Sequence, residues 1–238
     1  MLNVRQHNPL LRNRLLSYIT AHDAAGLADS LASLSNTEFR TAGFLLGEEL
    51  LPLLGNEEEQ EATVFWDFFL TIVPRHPKAY LGTFLKAAAS LYKAEKLSLN
   101  DGRLDSYAKE QASPIDCKKA LEALLPEIKT PQDGMRLLQL FSEEKAEAQV
   151  QALLKTSTPV GCYLLFRTLK TCEENRQLLH QCCIALLKKG DSRSFNLACI
   201  LYEYFGLDQL PATFSLQIRP YQLGRLDDSY ESFLKILH

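Results

Sequence analysis

The densest run of chemically able side chains lies between positions 66 and 80. Trp66 and Asp67 are followed by Pro74, Arg75, His76, Pro77, Lys78 and Tyr80, so a compact cationic loop stands beside aromatic residues. Arg75 and Lys78 have the chemistry to hold a phosphate or a carboxylate. Lys78 falls near the start of the next helix, where unpaired backbone N–H groups also favour an anion. The same residues equally make a solvated turn stiffened by two prolines, with Trp66 simply in the core. A second candidate is the run 217–221, Gln217, Ile218, Arg219, Pro220 and Tyr221, which ends an alternating segment that begins at Thr213. Phe214, Leu216 and Ile218 alternate with polar residues, and Arg219 and Tyr221 follow. That pattern is strand-like, and an extended segment of this kind closes a groove, straps the helices or offers an edge to a partner strand.

Residue spacing restricts the other chemistry open to the chain. The six cysteines, at 117, 162, 172, 182, 183 and 199, include no C-x-x-C pair, and five fall on apolar faces or ends of expected helices. They read as buried, reduced core thiols, which agrees with a cytoplasmic location. His180 and Cys182 are two apart, a spacing that puts them on different helix faces, and no metal site is expected. A phosphate loop, a dinucleotide fingerprint, H-E-x-x-H and a nucleophile elbow are all absent, so no catalytic residue and no cofactor are assigned.

Composition narrows the classes further. With 46% hydrophobic and 23% charged residues the chain matches an ordinary folded protein. A formal net charge of -3 provides no overall field for nucleic acid or an anionic membrane. The residues after Met1 lack the apolar core of a secretory signal, so none is expected. Nor does any stretch approach the ~18 apolar residues of a spanning helix.

The elements that must position these residues are helices. Asn8 and Pro9 open the first, to about Ala21. Asp23 caps a short one, and Ser35 with Glu38 forms a capping box for a helix through Leu50. Pro52 and Gly55 end it. The acidic run Glu57, Glu58 and Glu59 suits the positive end of a helix dipole. The helix it opens carries Phe65, Trp66, Phe68, Phe69 and Ile72 nearly all round, and such a helix lies inside a bundle. Another runs from Lys78 to about Leu97. A polar interval, 98–113, holds a turn at Asn100, Asp101 and Gly102 and a modest helix to Gln111. Ser113, Thr130 and Thr158, each followed by proline, mark three more helix starts, and Ser142 reads as the cap of a further one to about Thr156. From 158 to 206 three helices follow in succession, the second from about Glu174 to Lys189 with a stop at Gly190, the third capped by Asp191 or Ser192. A last helix is expected from Leu226 to Leu237.

The pattern predicts an all-α fold: an irregular α-α superhelix of antiparallel helical pairs, HEAT- or TPR-like in layout, with about 12–13 helices and a short extended segment near 213–219. Residues 1–238 read as a single repeat-like domain with a possible seam near 98–113. No fixed repeat consensus recurs. The function expected of such a chain is a non-enzymatic scaffold or adaptor with a protein or peptide partner on a concave surface. Two other classes share the layout. A DNA alkylation-repair glycosylase of the HEAT-like type needs a basic, aromatic-bearing groove, which the acidic balance does not favour. A small-molecule regulatory domain needs a pocket between helices, near Trp66, Tyr80 or the cysteines from 162 to 199.

Overall fold

In a computed structural model of the chain, the described residues are 9–55, 61–207, 226 and 229–238. Among them every regular element is helical. Thirteen α-helices follow one another: α1 (Pro9–Thr20), α2 (Ala24–Ala32), α3 (Asn36–Leu45), α4 (Glu61–Ile72), α5 (Pro77–Lys93), α6 (Arg103–Glu110), α7 (Pro114–Leu124), α8 (Pro131–Phe141), α9 (Ala146–Leu153), α10 (Pro159–Lys170), α11 (Arg176–Lys189), α12 (Ser192–Tyr204) and α13 (Tyr230–Leu237). Among the described residues no helix is long and apolar enough to cross a membrane. The acidic run 57–59 and the whole extended segment 213–221 lie outside the described residues.

Side-chain caps place most of the starts. Ser35 accepts from the backbone N–H of Glu38, and the Glu38 carboxylate accepts in return from Ser35 N at 3.1 Å. Ser113 and Asp116 repeat this reciprocal box at α7. Thr130, Thr158, Asn175, Asp191 and Ser229 each accept from the backbone three residues on, satisfying a donor the helix itself leaves unpaired. At the other end of α11, Gly190 takes φ +77°, a left-handed stop that a residue without Cβ adopts freely.

Four boundaries differ from the sequence expectation. The helix through Leu50 is α only to Leu45. It widens to a π turn over Leu46–Leu50, where Leu51 N–H reaches back to the Leu46 carbonyl, then tightens to a 3-10 turn over Leu51–Gly55. Pro52 accounts for this, since its ring would clash with the carbonyl four residues back in a regular helix. α5 stops at Lys93 rather than Leu97, because Glu95 takes a left-handed φ of 64° and Lys96 N–H returns to the Leu91 carbonyl. Ser142 is no cap. It follows α8 and donates to the Glu143 carbonyl, while α9 begins at Ala146 behind Lys145 with no side-chain cap. α13 begins at Tyr230 behind Ser229, not at Leu226.

The chain divides into two compact units, Met1–Glu127 and Ile128–His238, so the interval 98–113 falls inside the first. In that first unit α4 packs against α2 and α5. Phe65, Phe68, Phe69 and Ile72 are buried, and Phe69 meets Phe84 and Tyr107 edge-on at 5.9 and 5.2 Å. In the second unit α10 is central, touching α8, α9, α12 and α13. Nine of its twelve residues are buried, which a helix flanked on several sides requires. Phe166 stacks on Phe233 of α13 at 5.4 Å and meets Tyr204 of α12 edge-on at 5.0 Å.

Candidate functional site

The residues singled out between 66 and 80 do not converge on one surface. Trp66 is 2% exposed and its indole N–H donates to the Ser98 carbonyl at 2.9 Å, so it fastens the 94–102 connector to α4 and has no face left for a ligand. Tyr80 is buried as well, against Phe39 at 4.8 Å and His76 at 6.0 Å, and burial pushes its hydroxyl well above the usual tyrosine range. His76 precedes α5 and packs edge-on against Phe39 at 5.6 Å. Arg75 is on the outside and pairs with Asp29 of α2 at 3.0 Å. Lys78 is exposed in the first turn of α5. Cation and aromatic are thus separated: the rings serve the core and the charges face water. Arg219 and Tyr221 lie outside the described residues.

The nearest approach to a nucleophile and base is in the second unit, and the sequence scan missed it because its members are 32 residues apart. Lys189 Nζ donates to Ser157 Oγ at 3.0 Å and to the Thr156 carbonyl at 2.8 Å. Ser157 Oγ in turn contacts Asp191 at 3.3 Å, and Arg193 donates to the Ser157 carbonyl at 2.7 Å. Burial acts to raise the Asp191 pKa, but hydrogen bonds from Ser194 and Ser157 and the Lys189 charge outweigh it and hold the carboxyl below its usual value. An ammonium that spends protons on two oxygens beside a carboxylate has no lone pair to take the serine proton. The cluster therefore works as a clamp on the 156–158 loop. Gly161 lets that clamp close, since a Cβ there would stand 1.9 Å from Thr156 Oγ1.

All six cysteines are free. Burial pushes Cys182 and Cys183 up to about 12 and Cys162 and Cys199 up to about 11, from an ordinary 9.0. Such thiols are poor nucleophiles and poor metal ligands at neutral pH. Among the described residues no group of three or more His, Cys, Asp or Glu side chains is placed to hold a metal. A thiol-reactive disulfide reagent at pH 7.5 is expected to modify half-buried Cys117 and Cys172 first and the four buried thiols only as the protein opens. The sign of the pH effect follows. The native state holds these protons more tightly than the unfolded chain, so their contribution is intact below pH 9 and is lost as pH rises toward 11–12. The loss is about 1.4 kcal/mol per thiol per pH unit within that window. Urea melts at pH 8 and pH 10.5 check it, with a lower midpoint expected at the higher pH.

What remains as a surface with shape is a groove of about 520 Å³ in the first unit, between α5 and α7. From α5 it takes Gly82, Leu85, Lys86, Ala89 and Lys93; from α7 and the turn after it, Lys119, Ala123 and Glu127. These recur three and four residues apart, so each helix gives the groove a single stripe, about 16 Å long on α5 at 1.5 Å per residue. The floor is made of small or apolar side chains and the walls of charged ones. Lys86 pairs with Glu48 at 2.5 Å, and Lys93 pairs with Glu127 at 3.1 Å where the two helices finish. Ile115, 66% exposed, stands one turn before Lys119 on the same stripe of α7. Sequence periodicity marks the apolar faces of α5 and α7 as core, and a groove formed by their outward stripes left no such signal.

Gly82 is the telling member. It sits in the middle of α5, is exposed, and a Cβ built on it meets nothing within 4 Å. Helix stability alone therefore prefers alanine there, by about 0.5–1 kcal/mol. Gly82→Ala is expected to raise the melting temperature by about 1–4 °C, on the usual scaling for a chain of this size. A fall would mean that the glycine serves the fold after all. No family model, no curated protein and no solved structure matches the chain, so the groove's geometry is the ground on which its function is argued.

Proposed function

We propose that the chain is a non-enzymatic helical scaffold, acting in the cytoplasm, that docks a helical segment of a partner protein in the α5–α7 groove. The observation that carries this reading is the groove itself: two outward stripes with a floor of Gly82, Ala89 and Ala123 and an exposed isoleucine in line with it. Helix-in-groove recognition reads a partner at three- and four-residue spacing, and small floor residues let two helices approach closely. Ile115, 66% exposed and in line with that floor, offers a docked helix apolar surface to remove from water. Consecutive helices joined by short connectors, as in α-α superhelical arrays of the HEAT and TPR kind, support the scaffold reading, and free thiols support the reducing compartment. Of the charged walls, Lys86 and Lys93 are already paired with Glu48 and Glu127, so these charges would set register more than affinity.

The reading is tested by affinity capture from the native host with three forms of the tagged chain: unaltered, Ile115→Asp and Ala89→Trp. Ile115 is mostly in water, so its replacement is expected to change stability by no more than about 0.5 kcal/mol. Retention of a stoichiometric protein by the unaltered chain is expected to fall at least tenfold in both variants, with melting temperatures little changed. Equal retention by all three would move the docking surface elsewhere.

A further inference from the structure

We draw no further inference here: the strongest candidate, the cationic cluster of Lys189 and Arg193 around Ser157 at the N-terminal end of α10, already spends Lys189 and one Arg193 nitrogen on the carbonyls and hydroxyl of Thr156 and Ser157, and nothing in the structure points to a ligand there.

Discussion

Phe166→Ala is expected to destabilise the second unit by about 3–5 kcal/mol, the range for emptying a fully buried phenylalanine site. The ring is 0% exposed and stands where three helices meet. It stacks on Phe233 at an interplanar angle of 29°, takes the edge of Tyr204, and lies 5.9 Å below the Lys170 ammonium. α13 has only eight residues; it buries Phe233 and Leu237, Tyr230 meets the Tyr163 ring at 5.1 Å, and Asn196 donates to the Leu237 carbonyl at 2.8 Å. So short a helix has no stability of its own in water, and its attachment depends on the rings it meets. Phe166→Ala should therefore free α13 before the rest of the unit opens. Denaturant melts followed by far-ultraviolet dichroism measure the total, and amide exchange on α13 measures the local part. A Phe166→Leu and Phe233→Leu double-mutant cycle should give a coupling of about 0.5–1.5 kcal/mol. A total loss below 1 kcal/mol would show that the three-helix junction does not hold the unit together.

Trp66→Ala is expected to cost the first unit a similar amount, about 3–5 kcal/mol. Here two losses add. The indole leaves a cavity beside Phe65 and Phe69, which meet it at 5.2 and 5.5 Å, and the Ser98 carbonyl loses its donor. Trp66→Phe separates them: it keeps most of the volume and should cost about 1–3 kcal/mol, the scale of a buried polar group left unpaired. Because Trp66 is the single tryptophan, its fluorescence reports the first unit alone, while dichroism reports both. Native emission should be blue-shifted and move to the red on unfolding. If urea transitions by the two probes separate, the units unfold independently; coincident transitions would make them one cooperative body.

Much of this fold was legible because polar caps are local. Ser35, Ser113, Thr130 and Thr158 announce their helices through hydrogen bonds that close within three residues, and a reading by position finds them. Ser142 misleads for the same reason in reverse: the residues have the cap types, but the serine hydroxyl donates to the Glu143 carbonyl and the next helix starts later. The stop at Glu95 was illegible because a left-handed turn there is held by backbone bonds of Glu95 and Lys96, with no glycine to advertise it. The candidate site suffered most. Trp66, Arg75, His76, Lys78 and Tyr80 are neighbours in sequence, yet helical geometry turns the rings inward and the charges outward. The groove has the opposite character: its two stripes lie some 30 residues apart, their members are individually unremarkable, and only packing α5 beside α7 brings them together.

The measurement closest to the central claim is photo-crosslinking in the native host. A photoreactive phenylalanine analogue is placed at exposed Lys119 on the groove wall, and in a second form at exposed Glu147 of α9 as a control. A docked helix at the groove predicts one discrete protein adduct from position 119, lost when Ala89→Trp is added, and no matching adduct from position 147. Absence of any adduct from position 119, or the same adducts from both positions, would contradict a docking site between α5 and α7.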